Sequence, residues 1–318
     1  MAAWNVHQPP RTDGTTVLVT GGNAGIGYFV AEQLAAAGAT VVIGSRSPAK
    51  ASAAVQAITA RIPGAQVQYV PLDLADLDSL EASVGRMDTD ALDAVVLNAG
   101  IALDGPQRAT NDRGHELMLA TNHLGHFALV HRLAPLLQAA PAARIVTMGS
   151  FAARSERLDL EDLHSVHEYD PKRTYGRSKL AQMMFAFALD RRLRAAGDTC
   201  MSVIAHPGGA LDALTPPRPG VHRHSGHRHL LARPAKLLVQ GKDAGAWPAV
   251  RAVLDPDVRG GQLWGPSRFG LSGRPHLEHP HAHMTDEASA EALWTASAEL
   301  TGADPFVTGR ATGSRQDA

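Results

Sequence analysis

The chain has 318 residues, of which 44% are hydrophobic and 19% charged, and its formal net charge is −1 at pH 7. This composition excludes a disordered chain, and the near-neutral charge argues against a nucleic-acid partner because no positive field would attract a phosphate backbone. The single cysteine, Cys200, excludes an internal disulfide and predicts a reducing, cytoplasmic location. The longest apolar runs fall short of the ~18 residues of a membrane span, so none is expected.

Short β-branched runs alternate with longer helical patterns through the first two-thirds of the chain. The predicted strands are 16–19, 40–43, 67–70, 94–97, 145–148 and 201–204, with a seventh at 261–265. The predicted helices are 25–37, 48–61, 76–87, 111–138, 174–196, 230–241 and 285–301. Continuous apolar strands are typical of a parallel sheet that is buried on both faces. The alternation therefore predicts an α/β fold: a doubly wound, Rossmann-like parallel sheet of about seven strands with helices on both faces.

The composition changes after residue 206, where proline, glycine and histidine become frequent. A long irregular stretch within a regular domain is typical of a binding loop, so we expect a substrate lid at about 207–245. Leucines in this stretch, such as Leu211 and Leu214, suggest either an apolar cover for a hydrophobic carbonyl or simple packing of the lid. No linker separates a second domain, so we expect one domain over 1–306 and a disordered polar tail over 307–318.

A glycine-rich turn, TGGNAGIG over residues 20–27, follows the first predicted strand and opens a predicted helix. Glycines allow the backbone to approach a pyrophosphate, and the helix N-terminus offers N–H groups and a partial positive charge. The spacing is TGxxxGxG and differs from the standard GxGxxG dinucleotide fingerprint. In this strand–turn–helix context it predicts a dinucleotide-binding site.

Two further features carry acid–base chemistry. Tyr175 and Lys179 are four residues apart in a predicted helix and so share one face. A nearby ammonium stabilises a phenolate, which suits a tyrosine for proton exchange at neutral pH. Ser150 ends the fifth predicted strand, at the edge of the sheet where α/β enzymes collect their site residues.

These motifs together resemble the short-chain dehydrogenase/reductase family, in its single-domain branch. Beside the glycine turn and the Tyr175–Lys179 pair, the chain has Asp73-Leu74, Asn98-Ala99-Gly100, TNHLGHF over residues 121–127, and His206-Pro207-Gly208, all in the family's order. TNHLGHF is similar to the retinol-dehydrogenase-like and protochlorophyllide-reductase-like subgroup. The long separation between Ser150 and Tyr175 is similar to that subgroup as well.

The resemblance implies a role for each matching residue. Tyr175 is the expected general acid/base and Ser150 orients the substrate oxygen, with Ser155 as the alternative if the alignment shifts. Lys179 is expected to bind ribose hydroxyls and tune Tyr175. Asn122 is expected to support a proton relay, or else only to kink or cap a helix. The expected coenzyme-binding residues are Thr20, Gly21, Asn23, Gly25, Ile26, Gly27, Arg46, Asp73, Leu74, Asn98, Ala99, Gly100, Tyr175, Lys179, Pro207 and Gly208.

The coenzyme choice is expected to depend on Arg46, which follows the second strand in Gly44-Ser45-Arg46. An acidic residue at this strand end would bind the ribose of NAD, whereas an arginine suits a 2′-phosphate. NADP is therefore preferred to NAD. The alternative is a solvated surface arginine.

Two residues depart from the family pattern. Gly149 stands where the family usually has a second serine, which is expected to change little. Asp212 stands where the family has a threonine that touches the nicotinamide, and an ionised carboxylate cannot donate a hydrogen bond; it is expected either to disturb nicotinamide binding or to cap the next helix. Histidines cluster at His222, His224, His227 and His229, and again at His276, His279, His281 and His283. Both clusters lie in Pro/Gly-rich loops and not in predicted helices, and they lack cysteine partners, so no metal site is expected.

The sequence thus predicts an NADP(H)-dependent oxidoreductase that interconverts a small-molecule carbonyl and an alcohol on a hydrophobic substrate, with Tyr175 as general acid/base. A homo-oligomer is possible for such a family. Two other hypotheses stay open: a non-catalytic NADP-binding sensor or scaffold protein, which Asp212 and the unusual lid motivate, and a metal-binding loop protein on the same fold.

Overall fold

The protein is described by a computed structural model over residues 4–222 and 238–306. Its centre is one eight-stranded sheet in the order β3-β2-β1-β4-β5-β6-β7-β8. Strands β1 to β7 run parallel, and β8 pairs antiparallel with β7 at the edge. The strands are β1 Thr16–Thr20, β2 Thr40–Ser45, β3 Val67–Pro71, β4 Ala94–Leu97, β5 Arg144–Met148, β6 Met201–Ala205, β7 Leu263–Arg268 and β8 Ser272–Glu278.

Helices cover both faces of the sheet. They are α1 Gly25–Ala36, α2 Pro48–Arg61, α3 Leu80–Val84, α4 Leu117–Leu119, α5 Gly125–Ala139, α6 Pro171–Ala195, α7 Lys242–Gly245, α8 Trp247–Leu254 and α9 Glu287–Thr301. Alternate strand residues point to opposite faces, so Leu18 joins the core beneath α5, α6 and α9, while its neighbours Val17 and Val19 join the core beneath α1, α2 and α8. Both cores are made of fully buried aliphatic and aromatic side chains, as the apolar strands predicted.

The predicted parallel α/β sheet is confirmed, with one strand more than expected. The seventh strand lies at Leu263–Arg268 and not at 261–265, and β8 has no counterpart in the sequence analysis. β8 contains Gly273 and Pro275, which are unfavourable in a central strand but tolerated at an edge. The turn before it places Phe269 at φ +55°, where a hairpin signal would normally show asparagine or aspartate.

Several predicted helices differ from the structure. The helix predicted over 111–138 begins at Leu117, because Asn111 and Glu116 accept hydrogen bonds from following backbone N–H groups and hold a turn. The helix predicted over 76–87 is shorter in the structure, where a 3₁₀ turn, Leu77–Ser79, precedes an α-helix over Leu80–Val84. Helix α6 begins at Pro171 and not at 174, because Asp170 caps it through Arg173 N at 2.8 Å.

Other predictions fall partly outside the described residues. Of the helix predicted over 230–241, residues 230–237 are not described and 238–241 are not helical; Gln240 forms a bridge with Ala210 instead. The tail at 307–318 and most of the histidines at 222–229 are likewise outside the described ranges. Within those ranges no helix has the length and apolar character needed to cross a bilayer.

Candidate active site

A cleft of about 490 Å³ opens at the carboxyl edge of the sheet, where the loops after β1, β2, β3 and β4 meet. This is the edge at which doubly wound sheets bind ligands. Most of the expected coenzyme residues line it, namely Gly21, Asn23, Gly25, Ile26, Gly27, Arg46, Asp73, Leu74, Asn98, Ala99 and Gly100. Thr20, Tyr175, Lys179, Pro207 and Gly208 lie on the elements around the cleft.

The glycine turn is packed too tightly for side chains. A Cβ on Gly27 would lie 2.3 Å from Asn98 Nδ2 and 2.5 Å from Gly21 O, so only glycine fits there. Asn98 Nδ2 in turn donates to Thr20 O at 2.9 Å, which joins the loop after β4 to the loop after β1. The turn thereby brings the backbone of two strand ends to the wall of the cleft.

The cleft has groups that remain available to an anionic ligand. Helix α1 starts at Gly25 without a side-chain cap and without an acidic residue in its first turn, so its first N–H groups and its dipole face the cleft. The Thr121 hydroxyl also lines the cleft and is buried without a hydrogen-bond partner among the described residues. Buried hydroxyls are normally paired. These residues therefore fit the diphosphate and ribose of a dinucleotide.

The far end of the cleft is basic. Arg46 lies just beyond the end of β2, and Lys50 in the first turn of α2 lines the same wall. Ser47 caps α2 by accepting from Lys50 N at 3.4 Å, and Ser45 also lines this end. Two cations beside two serine hydroxyls can hold a phosphate, whereas no carboxylate from this strand end lines the cleft.

Lys179 is buried on α6 behind the cleft. Its Nζ donates to Met148 O and to Gln182 Oε1. Burial lowers the pKa of this lysine to about 7. The ammonium that the sequence analysis placed beside Tyr175 thus lies close to its titration point at neutral pH, and the two hydrogen bonds found for it go to Met148 and Gln182.

Asn122 lies in a π-helical turn, Ala120–Leu124, that joins α4 to α5. Its Oδ1 accepts from Ile101 N at 2.8 Å, and its Nδ2 donates to Ile101 O at 3.0 Å and to Ser178 Oγ at 2.9 Å. The side chain is therefore fully used in tying the loop after β4 to α6. Its main-chain oxygen lies 3.0 Å from His126 Nδ1. Wide π turns recur at functional sites.

Ser150 and Tyr175 come from neighbouring elements. Ser150 lies two residues after the end of β5 and caps a 3₁₀ turn, Phe151–Arg154, by accepting from Ala152 N at 3.2 Å. α6 packs against this turn so closely that a Cβ on Gly176 would lie 3.1 Å from Ala152 O. Tyr175, half-buried, therefore lies one residue from this contact with the segment after Ser150. The alternative, Ser155, is exposed at the far end of the 3₁₀ turn.

The segment after β6 is fixed by polar contacts. His206 Nδ1 accepts from Gly208 N at 3.3 Å, and His206 Nε2 lies 3.1 Å from Glu278 Oε2 on β8. Arg154 contacts the same carboxylate at 2.7 Å. Burial opposes ionisation of Glu278, but His206 and Arg154 outweigh it and hold the pKa of that carboxyl below its usual range. The Pro207-Gly208 turn is thereby linked to the turn after Ser150.

Asp212 does not cap a helix as one sequence hypothesis proposed. It is the first residue of a 3₁₀ turn, Asp212–Leu214, and its carboxylate contacts Lys242 Nζ at 2.6 Å.

Among the described residues no group of three or more His, Cys, Asp or Glu side chains is arranged to hold a metal ion. His224, His227 and His229 lie outside the described ranges.

Sequence reasoning did not single out several residues that line the cleft: Ala24, Gly44, Ser45, Ser47, Lys50, Leu72, Ile101, Thr121 and Lys242. A local signal existed for Lys50, because it lies one helical turn after Arg46 in a predicted helix. No local signal existed for Lys242, because it is 217 positions from Gly25 along the chain and the two residues meet through the fold.

Comparisons with known proteins agree with this geometry. The family model described as short chain dehydrogenase matches residues 15–211. Among similar proteins, polyprenol dehydrogenase of Mus musculus is 34% identical over 298 residues, covering 90% of this chain and 80% of that protein. Retinol dehydrogenase 13 of Homo sapiens is 32% identical over 292 residues, covering 91% of this chain and 85% of that protein.

Solved structures resemble the chain over most of its length. An uncharacterized protein from Mycobacterium Paratuberculosis superposes with a TM-score of 0.77 at 33% identity, covering 96% of this chain and 99% of that one. A short chain dehydrogenase from Burkholderia cenocepacia, in complex with NADP, gives a TM-score of 0.60 at 25% identity, covering 83% of this chain and 98% of that one. The chain therefore belongs to the short-chain dehydrogenase/reductase family, in its retinol-dehydrogenase-like subgroup, and is an enzyme of that family.

Proposed function

We propose that this dehydrogenase/reductase uses NADP(H) to interconvert a carbonyl and an alcohol on a hydrophobic small molecule, with Tyr175 as general acid/base. The observation that carries the proposal is the cleft that the glycine turn lines at the carboxyl edge of the sheet. Lys179 on α6 supports it, because its Nζ donates to Met148 O at the end of β5, two residues before Ser150. NAD(P) dependence and a small carbonyl or alcohol substrate follow from the family. The choice of NADP, the residue roles and the apolar substrate are the proposed part.

The chain's own residues account for the proton and the orientation of the substrate. A bound nicotinamide coenzyme supplies or accepts the hydride. Tyr175 donates a proton to the carbonyl oxygen during reduction and takes it back during oxidation, while the Ser150 hydroxyl holds that oxygen in place. Lys179, with a pKa of about 7, can hold or release a proton at neutral pH, which suits it to resupply Tyr175. Asn122 fixes the backbone of its π turn for that purpose.

The basic end of the cleft supports NADP. Arg46 and Lys50 can bind a 2′-phosphate by charge-assisted hydrogen bonds, and the end of β2 provides serine hydroxyls where an NAD enzyme would place a carboxylate. The Burkholderia cenocepacia relative was solved with NADP.

The rim of the active-site edge supports an apolar substrate. Phe151 and Leu211 are each 41% exposed, Leu238 is 61% exposed and Phe269 is 85% exposed. The β7–β8 turn reaches the Ser150 side, since Gly270 lies against the guanidinium of Arg154, which covers the Phe151 ring at 4.2 Å. Relatives of this chain are named for polyprenol and retinol, both apolar alcohols.

The mechanism is tested by replacing Tyr175 with phenylalanine, which keeps the ring and removes the proton. We expect kcat for NADPH-dependent reduction of retinal to fall by ~10²-fold or more, while NADPH still binds, because the glycine turn and Arg46 are untouched. Tyr69→Phe is the matched control, because it removes a buried hydroxyl from β3, away from the site, and should leave kcat at the wild-type value.

Near-normal turnover by Tyr175→Phe would refute the acid/base assignment. A wild-type protein that binds NADPH but reduces neither retinal nor a panel of other apolar aldehydes would favour the non-catalytic sensor or scaffold. The cytoplasmic location and a homo-oligomeric state are further predictions from composition and family resemblance. Fractionation of the native host and light scattering of the purified protein test them.

A further inference from the structure

A second basic group reaches the cleft from the segment after β6. Lys242, the first residue of α7, lines the cleft together with Gly25 and Ile26 of the glycine turn. A Cβ placed on Gly25 would be 4.0 Å from Lys242 Nζ. The amine thus lies beside the N-terminus of α1, at the opposite end of the cleft wall from Arg46 and Lys50.

The backbone of Lys242 is firmly held. Its N–H donates to Thr215 Oγ1 at 2.9 Å, and Gln33 Nε2 on α1 donates to Asp243 O at 2.8 Å. These bonds fix α7 against α1, so the four-carbon side chain is the part of Lys242 that can move. It already points into the mouth of the cleft.

In the structure this amine is paired with Asp212. Lys242 Nζ lies 2.6 Å from Asp212 Oδ1, and His222 Nδ1 lies 3.6 Å from the same oxygen. The Asp212 side chain is 65% exposed. Exposed ion pairs of this kind contribute little to stability, so a stronger anion can displace the carboxylate at little cost.

The charges around the cleft indicate which anion can displace the Asp212 carboxylate. Among residues 4–222 and 238–306, the basic side chains that line the cleft are Arg46, Lys50 and Lys242, and of these Lys242 lies beside the glycine turn. A coenzyme diphosphate at that turn carries two negative charges and would meet the Lys242 amine, whereas the Asp212 carboxylate at the same mouth would repel it.

We propose that Lys242 binds the coenzyme diphosphate and that Asp212 is an internal competitor that occupies the amine until the coenzyme displaces it. This inference builds on the proposed function, since it requires a dinucleotide in the cleft. It gives Asp212, which departs from the family pattern, a role in setting coenzyme affinity. Lys242 would act on NADP and NAD alike, because both contain the diphosphate, whereas Arg46 would act on the 2′-phosphate alone.

The two halves of the pair should change affinity in opposite directions. We expect Lys242→Gln to raise the Kd of both NADPH and NADH about tenfold, measured by isothermal titration calorimetry. Asp212→Asn should lower both Kd values several-fold, because the amine is freed and the repulsion removed. Adenosine 2′-monophosphate, which has no diphosphate, should bind both variants as it binds wild type.

A purely structural ion pair predicts a different result, since breaking it from either side would have the same effect. Equal weakening by both variants, or no change in either, would therefore overturn the proposal. In the double variant Asp212→Asn/Lys242→Gln the gain from Asp212→Asn should disappear. Lys172→Gln is the matched control, because Lys172 is an exposed lysine on α6 outside the cleft lining. A wild-type protein that binds neither coenzyme would instead refute the proposed function itself.

Discussion

At the scale of single residues, Lys179 ends a chain of buried polar contacts that leads to the glycine turn. Gln182, which accepts from Lys179, donates through Nε2 to Leu97 O at 3.1 Å. Thr20 Oγ1 accepts from the N–H groups of Asn98 and Ala99, donates to Val96 O at 3.3 Å, and lies 3.0 Å from His126 Nε2. His126 Nδ1 lies 3.0 Å from Asn122 O and 3.1 Å from Gln182 Nε2, which connects the imidazole back to the amide that contacts Lys179.

This network is neutral apart from the lysine. Burial lowers the pKa of His126 to about 3, so the imidazole stays uncharged and orients its neighbours. The low pKa of Lys179 has the same cause. A buried amine that titrates near neutral pH links folding stability to pH.

The predicted consequence is a stability difference that grows with pH. Between the folded pKa of about 7 and the unfolded value of about 10.4, the unfolded chain binds a proton at Lys179 that the folded chain does not. The free energy of unfolding of wild type relative to Lys179→Met should therefore rise from pH 7.5 to pH 9, by at most about 1.4 kcal/mol per pH unit. Below pH 6 the difference should be flat.

Urea unfolding of both proteins without coenzyme measures this difference. Parallel stability curves over the whole range would show that Lys179 keeps an ordinary pKa in the folded state.

The residue identities of the site could largely be predicted from sequence, because they follow strand ends. Gly21, Asn98 and Ser150 each come just after a strand, and parallel strands bring their carboxyl ends to one edge. The sequence could not show which groups each of these side chains would hydrogen-bond. Lys179 was expected beside Tyr175, but the hydrogen bonds of its Nζ depend on Gln182 and Met148, whose positions are set by packing between α6 and β5.

At the scale of elements, helix α1 is tied to the segment after β6 by a buried ion cluster. Arg218 contacts Glu32 through Nε at 2.5 Å and Nη2 at 2.7 Å, and its guanidinium lies over the Phe29 ring. Tyr28 donates its hydroxyl to the same carboxylate at 2.9 Å. Burial and Glu32 together raise the pKa of Tyr28 well above its ordinary value, so that hydroxyl stays protonated.

Breaking this cluster from one side should be costly. Arg218→Met leaves the buried Glu32 carboxylate without its bidentate partner and with the exposed Arg61, whose Nε lies 3.4 Å from Oε2. We therefore expect the free energy of unfolding to fall by up to about 3 kcal/mol. The double variant Arg218→Met/Glu32→Gln removes both charges and should recover part of that loss. Urea unfolding at pH 7.5 compares the three proteins; a double variant less stable than Arg218→Met would contradict the argument.

The elements differ in how far local sequence determines them. The strands from Thr16 to Ala205 were found because each is a continuous apolar run. The sequence analysis missed β8 because its residues, Ser272–Glu278, have neither an apolar run nor a clear alternation. Pairing with β7 is what makes this segment a strand. The π turn before α5 has no sequence signature either, because it depends on Asn122 reaching Ile101 and Ser178.

At the scale of the whole molecule, the cleft joins parts of the chain that are far apart in sequence. Its lining extends from Gly21 to Lys242 and includes residues from both faces of the sheet. A ligand that contacts all of these elements binds the folded chain and not the unfolded one. Coenzyme binding must therefore stabilise the entire fold.

This gives a prediction that also tests coenzyme choice. NADPH at a hundred times its Kd should raise the free energy of unfolding by about 2.7 kcal/mol. If Arg46 contributes a phosphate contact that weakens binding tenfold when removed, Arg46→Ala at the same NADPH concentration should gain only about 1.4 kcal/mol. NADH lacks the 2′-phosphate, so its smaller stabilisation should be the same for wild type and Arg46→Ala. Urea unfolding with each coenzyme measures all four values. If Arg46→Ala lost the same amount of stabilisation with NADPH as with NADH, Arg46 would support the cleft without binding the 2′-phosphate. The preference for NADP would then have to rest on Lys50 or be abandoned.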